Sequence, residues 1–239
     1  MRIFVTAGNT QVPIDRVRCI TNIFTGRTGA AIALEAYRRG HQVTLVTSQP
    51  DVIEYRHLDA ACWQCFPYRT FGELEALMAR HIAELKQDAV VHCAAVNDYQ
   101  AAGIFAPELD THFDERTQAW TGPGKMLDRA AGKVKSDEPE LWLRLVRAPK
   151  LVDKIRSDWG HRGRLVKFKL EVGVGETELL AIAESSRQHS AADWMVANTL
   201  EGSADWAFLG NEHGYTKVIR AELAGALLDA LEQQTSRDR

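Results

Sequence analysis

The sequence lacks an excess of positive charge and any long apolar run. Its 239 residues hold 29 Lys and Arg against 32 Asp and Glu, a formal net charge of -3, which argues against a general nucleic-acid-binding protein. No stretch approaches the roughly 20 apolar residues that a membrane-spanning helix needs. The N-terminus has no basic segment followed by an apolar one, so we predict no signal peptide and expect a cytoplasmic protein without a membrane partner.

Cysteine is also scarce, with four in the chain. Cys62 and Cys65 form a C-x-x-C pair, but no second pair is present to complete a structural zinc site. The pair does not follow the first strand, where a thioredoxin-like redox motif would lie. We interpret these two residues as incidental reduced thiols, and we predict no metal-ligating residues.

Strand and helix patterns alternate along most of the chain, beginning with an apolar run at 3–6, a helical pattern at 26–39 and a second apolar run at 42–47. Such alternation is typical of a parallel sheet. We predict an α/β fold, a three-layer Rossmann-like mostly parallel sheet with helices on both faces, in a single domain over 1–239. Further strands are predicted at 62–68, 88–95, 140–146, 165–170, 194–197, 207–209 and 217–219, and further helices at 71–86, 148–159, 177–189 and 221–232.

One long segment interrupts this alternation. Residues 100–132 are the least regular part of the chain, and only Met126–Ala131 is predicted to form a short helix. A connection of this length in a compact domain is usually a lid or a mobile flap, so we predict a flap over 100–135. The alternative is an insertion without a role.

Glycines stand at both ends of the loop between the first strand and the first helix. Gly8 and Thr10 follow the strand, whereas Thr25, Gly26 and Gly29 begin the helix. A helix N-terminus presents unpaired N–H groups and partial positive charge, and glycines let a phosphate approach them. The loop therefore predicts a nucleotide site, although its spacing is not G-x-G-x-x-G and the glycines could serve chain turning alone.

Polar residues at other strand ends add to this prediction, because ligands of parallel sheets gather at the carboxyl ends of the strands. Asp98 and Asn198 occupy such positions, although Asp there is also a common cap. Lys133 and Lys135 share one face of an extended segment and could neutralise phosphate, with a solvated pair as the ordinary alternative. Phe168 could stack on a ligand or pack in the core.

Four sets of motifs resemble the phosphopantothenoylcysteine synthetase family of coenzyme A biosynthesis. The resemblance is to the monofunctional form, which lacks a flavin-binding decarboxylase half, so no flavin is expected. The motifs run in order across nearly the whole chain: VTAGNTQVPIDRVRCITN and IFTGRTG at 5–29, AAVNDY at 94–99, GKVKSDE at 132–138 with LRLVRAPKLV at 143–152, and KFKLEVG at 167–173 with ADWMVAN at 192–198.

The resemblance implies a two-step ligase reaction. The phosphopantothenate carboxylate attacks the α-phosphorus of CTP or ATP, with Mg²⁺, and the amine of cysteine then displaces the nucleoside monophosphate. Positioning and charge neutralisation are what this chemistry needs, and the sequence shows no Ser/His/Asp constellation. The implied partners are phosphopantothenate, cysteine, the nucleotide and a second copy of the chain in a homodimer.

The resemblance also implies roles for single residues. Asn22 matches an asparagine that holds the acyl-nucleotide, and Lys133 matches a lysine that assists the attack of cysteine. Arg18 matches an arginine that reaches into the neighbouring subunit's site, and the resemblance implies a role in substrate binding for Arg18 and Ala94. The positions implied in nucleotide binding are Gly8, Thr10, Thr25, Gly26, Gly29, Ala95, Asp98, Lys135, Phe168 and Asn198.

Four positions depart from the family pattern and leave room for altered nucleotide or substrate choice. Asn9 replaces the second Gly of Gly-Gly-Thr, and Phe24 stands where Ser is common. Ser186 and Ser190 stand near positions that usually carry lysines.

Two other functions remain open from the residues alone. One is an NAD(P)-dependent oxidoreductase, which is opposed by the lack of an acidic residue in Thr47-Ser48-Gln49, at the end of the second strand. It is also opposed by the lack of a Tyr followed four positions later by Lys. The other is a non-catalytic nucleotide-binding paralogue, which would keep Gly26 and Gly29 but tolerate loss of Lys133.

Overall fold

The computed structural model describes residues 1–52, 54 and 57–237. These residues form two compact units, of which the first joins Met1–Thr10, Ile23–Val96 and Lys150–Arg239. The second unit joins Gln11–Asn22 and Asn97–Pro149. The single domain over 1–239 and the mobility of a flap at 100–135 stay predictions.

The described residues form fifteen β-strands and five α-helices. The helix at Phe71–Ala79 continues into a π-helical turn at Arg80–Glu84. In chain order the elements are β1 (Arg2–Ala7), β2 (Gln11–Pro13), β3 (Cys19–Thr21), α1 (Arg27–Arg38), β4 (Gln42–Thr47), β5 (Trp63–Pro67), α2 (Phe71–Ala79), β6 (Ala89–His92), β7 (Tyr99–Pro107), β8 (His112–Asp114), β9 (Ala119–Thr121), β10 (Met126–Asp128), β11 (Trp142–Arg147), α3 (Leu151–Ser157), β12 (Arg164–Glu171), α4 (Glu176–His189), β13 (Trp194–Thr199), β14 (Trp206–Asn211), β15 (Gly214–Ile219) and α5 (Leu223–Arg237).

The first unit is built on an eight-stranded sheet with the order β15-β14-β13-β12-β6-β1-β4-β5. The six strands from β13 to β5 pair in parallel, and β14 and β15 add an antiparallel hairpin at one edge. Ile3 and Val5 pack in a core with residues of α1 and α5, while α4 packs against Met195. The α/β prediction of a mostly parallel sheet between helical layers is therefore confirmed.

The second unit consists of antiparallel strands. β7 pairs with β10 on one side and with β11 on the other, while β2–β3 and β8–β9 form separate hairpins. The helix predicted at Met126–Ala131 is wrong, because Met126–Asp128 pairs with Phe105–Pro107. The prediction that residues 100–132 are irregular is also wrong, because local periodicity does not reveal pairing between strands so far apart in sequence.

Two of the three buried histidines in the described part of the first unit, His81 and His92, give it a titratable core. The ring centroid of His81 lies 5.8 Å from that of Phe4 and 4.7 Å from that of Phe66, and its nitrogens have no hydrogen-bond partner among the described residues. His92 Nδ1 lies 2.9 Å from Thr6 Oγ1. Burial lowers the pKa of both imidazoles from 6.5, that of His92 to about 4, so both rings are neutral at pH 7.

We expect these histidines to make the protein labile to acid. Because each has a lower pKa in the folded state, its contribution is complete above pH 6.5 and is lost as the pH falls towards the folded pKa. For His92 alone the loss at pH 4 is roughly 3 kcal/mol. Urea denaturation from pH 7.5 to 5 should show a falling free energy of unfolding. His92→Asn should flatten this slope and the exposed-site variant His213→Asn should not; identical slopes would contradict the assignment.

Candidate functional site

The end of β1 and the beginning of α1 lie so close together that only glycine fits at three positions. Gly8 and Gly26 have φ of +86° and +79°, which disfavour other residues. A Cβ on Gly26 would lie 2.5 Å from the Gly8 nitrogen, and one on Gly29 would lie 2.7 Å from the Ala7 Cβ. The glycines therefore serve close packing between β1 and α1, and the first N–H groups of α1, like those of any α-helix, have no acceptor within the helix.

The N-terminus of α1 carries no negative charge of its own. Gly26, the N-cap, makes no side-chain capping hydrogen bond, and the first turn has no acidic residue. The Arg220 guanidinium donates a hydrogen bond to the Thr28 hydroxyl in this first turn. Arg220 was missed in the sequence analysis because it precedes the last helix in no recognisable motif. Its positive charge and the helix dipole together favour an anion here.

Cys93 lies beside this helix start but is not a nucleophile. Burial raises the pKa of its thiol to about 12, although Arg220 and a hydrogen bond from the Gly29 backbone act in the opposite direction. The thiolate is the reactive form of cysteine, so a neutral thiol contributes packing only. Cys62 and Cys65 are reduced as well.

The segment after β6 runs beside the loop after β1. The Ala95 N–H donates to the Gly8 carbonyl at 2.8 Å, and the Thr10 N–H donates to the Ala95 carbonyl at 3.3 Å. The Ala94 N–H donates to Thr6 Oγ1 at 3.2 Å. The structure therefore brings together Gly8, Thr10, Ala94 and Ala95, which were predicted separately from two motifs.

Asn9 fits its position without backbone strain, since it is not among the residues with positive φ. Its N–H donates to Ser48 Oγ at 2.9 Å, and that hydroxyl donates to Asn9 Oδ1 at 2.9 Å. The departure from Gly-Gly-Thr thus ties the end of β4 to the loop after β1. Ser48 also follows β4 directly, where a nicotinamide-dependent enzyme would need a carboxylate.

Phe168 and Asn198 lie on adjacent strands of the sheet. The half-buried Phe168 packs against the core between the sheet and α1 and α5, and Asn198 is buried near the end of β13. Core packing therefore accounts for Phe168. Nucleotide binding by these two residues stays a prediction.

In the second unit, the lysine segment is held by Asp15 and Arg18. Arg18 donates to Asp15 Oδ2 from Nη2 at 2.6 Å and from Nε at 3.0 Å. Arg18 Nη2 also donates to the Val134 carbonyl at 2.8 Å, and the Val134 N–H donates to Asp15 Oδ2 at 3.1 Å. We call these bonds the Asp15 clamp. Val134 is buried, while Lys133 and Lys135 on either side are exposed.

The Asp15 clamp is strongly ionic. Hydrogen bonds from Arg18 and the Val17 N–H hold the pKa of Asp15 well below its usual range, so the carboxylate is charged at any physiological pH. The predicted reach of Arg18 into a neighbouring subunit stays a prediction, and within its own chain Arg18 binds Asp15 and Val134. Asp15 was missed because its partner Val134 is 119 residues away in sequence.

The remaining candidates divide between the two units. Asn22 and Asp98 belong to the second unit, together with Lys133 and Lys135, whereas Thr25 belongs to the first. Asn22 is half-buried and Asp98 is exposed, and the Asp98 carbonyl accepts the Ala148 N–H at 2.8 Å.

No group of three or more His, Cys, Asp or Glu side chains could hold a metal ion among the residues placed by the structure. Magnesium usually binds through one or two carboxylates and substrate phosphates, without a dedicated protein cage. Across the same described residues, no helix is long and apolar enough to span a membrane.

Comparison with known proteins shows a family resemblance. Residues 1–110 match the family described as DNA/pantothenate metabolism flavoprotein C-terminal domain. The crystal structure of the DNA/pantothenate metabolism flavoprotein from Streptococcus pneumoniae has a TM-score of 0.78 and 25% identity, and the match covers 98% of this chain and 99% of that one. This chain is therefore similar to that family over its first 110 residues. The resemblance predicted from the motifs is therefore confirmed.

Two of the proteins similar to this chain are named as enzymes of coenzyme A biosynthesis or as a ligase. The chain is 30% identical over 241 residues to the coenzyme A biosynthesis bifunctional protein CoaBC of Thermococcus kodakarensis, covering 97% of this chain and 51% of that protein. It is 27% identical over 256 residues to the phosphopantothenate–cysteine ligase of Homo sapiens, covering 92% of this chain and 79% of that protein. The chain thus spans about half the length of the bifunctional relative.

Proposed function

We propose that this chain is a phosphopantothenate–cysteine ligase of coenzyme A biosynthesis. The observation that carries the proposal is the similarity to the human ligase over 92% of this chain. Two structural features agree with the needs of nucleotide activation. The glycine-lined start of α1 offers backbone N–H groups to an anion, and the Asp15 clamp positions the segment that carries two lysines.

The first step forms an acyl-nucleotide. A carboxylate oxygen of phosphopantothenate bonds to the α-phosphorus of the nucleotide, and the bond from that phosphorus to the bridging oxygen breaks as pyrophosphate leaves. Magnesium enters with CTP or ATP as the metal–nucleotide substrate. Three sets of donors stabilise the negative charge of the phosphates by hydrogen bonds to their oxygens. They are the N–H groups at the start of α1, the Thr25 hydroxyl and the Arg220 guanidinium.

The second step forms the amide. The amine of cysteine attacks the acyl carbon, the nucleoside monophosphate leaves with the electrons of the carbon–oxygen bond, and the amine loses a proton. Asn22 holds the acyl-nucleotide, and the Lys133 ammonium stabilises negative charge that develops at the acyl oxygen and the leaving phosphate. The Asp15 clamp fixes the backbone beside Lys133, which limits the reorganisation needed for this contact.

We also propose that the chain acts as a homodimer in the cytoplasm. β11 is an edge strand of the second unit and exposes Leu145 and Val146, with 43% and 37% of their surface accessible. An exposed apolar edge strand is a surface on which another chain can pair. All four cysteines are reduced, which suits a reducing compartment.

Pyrophosphate release tests the proposed activity. Purified chain with Mg²⁺, phosphopantothenate, cysteine and either CTP or ATP should release one pyrophosphate for each amide formed. Without cysteine, release should stop near one equivalent per site, since the acyl-nucleotide cannot discharge. Mixtures without phosphopantothenate are the control. Absence of release above that control with both nucleotides would overturn the proposal, and comparing the two nucleotides gives the base preference.

A further inference from the structure

Lys167 places a positive charge where the family pattern is broken. The residue lies on β12, and its ammonium donates to the Ser186 carbonyl at 3.0 Å and to Ser190 Oγ at 2.6 Å. Ser186 and Ser190, at the C-terminal end of α4, are the two positions near which the resemblance predicts lysines. A cation is therefore present at both positions, but it comes from the strand and not from the helix.

The charge of Lys167 is not neutralised by a carboxylate within the described ranges. The Ser190 hydroxyl donates to Asp153 Oδ1 at 2.8 Å, so it separates the ammonium from that carboxylate. An ammonium has three N–H donors, and two of them bind Ser186 and Ser190. Lys169, two residues along the same strand, differs because it forms an ion pair with Glu171 at 2.8 Å.

The surroundings of Lys167 disfavour a cation. Burial lowers its pKa, and the charges of Lys150 and Lys169 act in the same direction against the opposing effect of Asp153. This half-buried ammonium has a carbonyl and a hydroxyl as its hydrogen-bond acceptors and no directly bonded carboxylate in the part of the chain that the structure describes, so it would stabilise an approaching anion. The arrangement is therefore typical of a site that binds a negatively charged ligand.

We propose that Lys167 binds a phosphate oxygen of the nucleoside triphosphate, in place of the two lysines that this chain lacks on α4. This inference rests on the proposed ligase function and names a residue that determines its nucleotide affinity. The third N–H of the ammonium is the donor for the phosphate oxygen. Phe168, which the resemblance assigns to the nucleotide surroundings, is its neighbour on β12.

Nucleotide titration of the full chain tests this proposal. Lys167→Met should raise the Kd for CTP and ATP about tenfold or more, because a hydrogen bond to a charged group is lost. The affinity for the uncharged nucleoside should not change. Lys169→Met is the matched control and should bind like the wild type, since its charge is already paired. Lys167→Met combined with Ser190→Lys should restore most of the affinity by returning the charge to α4.

A second variant keeps the test decisive if Lys167→Met does not fold. Lys167→Gln retains a donor for Ser186 and Ser190 without the charge, and it should also lose triphosphate affinity. Wild-type affinity in a folded Lys167 variant would overturn the proposal, as would an equal loss in Lys169→Met. The two proposals fail separately: a wild type that binds triphosphate through Lys167 but releases no pyrophosphate contradicts only the ligase activity.

Discussion

Replacing Lys133 with glutamine is expected to lower kcat by about 10²–10³-fold and to leave nucleotide affinity nearly unchanged. Lys133 is exposed, and the bonds that shape its segment involve Asp15, Arg18 and the backbone of Val134. The substitution therefore removes an ammonium without removing the fold around it. Amide formation should fail while pyrophosphate release persists to about one equivalent per site, so acyl-nucleotide should accumulate and be detectable by mass spectrometry.

The control for Lys133 lies in the same unit. Lys125 is exposed and pairs with Glu108 at 3.0 Å, so Lys125→Gln removes a charge without touching the proposed chemistry. It should retain wild-type turnover. Undiminished amide formation by Lys133→Gln would contradict the proposed role of Lys133. If the chain has no ligase activity and its response to nucleotide survives this substitution, the non-catalytic paralogue is favoured.

Replacing Gly26 with alanine is expected to have the largest effect on stability. A non-glycine residue at φ +79° costs about 1–2 kcal/mol, and the new Cβ would press on the Gly8 backbone at 2.5 Å and 2.8 Å. Moving that backbone adds about 1–3 kcal/mol, for a total of about 2–5 kcal/mol in the free energy of unfolding. Nucleotide affinity should fall as well, because the start of α1 is displaced from Gly8. Urea denaturation and nucleotide titration measure the two effects.

Gly40 offers a matched comparison for Gly26. Its φ is +80°, but a Cβ added there would meet nothing within 4 Å. Gly40→Ala should therefore cost only the conformational strain of about 1–2 kcal/mol and leave nucleotide binding intact. Equal losses of stability in the two variants would show that close packing at Gly26 contributes nothing.

The first unit was predictable from sequence because its elements have strong local patterns. The prediction of a strand at 42–47 matches β4, and the helix at 26–39 is α1 at Arg27–Arg38. Parallel strands joined by helices need only local periodicity to be recognised. The four sets of motifs then indicated the family resemblance, which composition and periodicity could not.

The second unit was not predictable in the same way. β7 contains Ala101, Ala102 and Gly103, whose small side chains give little alternation, and its partner strands begin at Met126 and Trp142. Lys167 was visible within a motif, but its contact with Ser190 depends on the side chain crossing from β12 to α4. Sequence gives the position of such a residue and not the direction of its side chain.

The Asp15 clamp binds main-chain groups of Val134, so the backbone path of the lysine segment does not depend on the side chains of Lys133 and Lys135. Its contacts at Val134 are to the main-chain nitrogen and oxygen. Exchange of either flanking side chain therefore leaves these anchors in place. During evolution, different reactive side chains can therefore replace Lys133 and Lys135 while the backbone of the segment keeps its conformation.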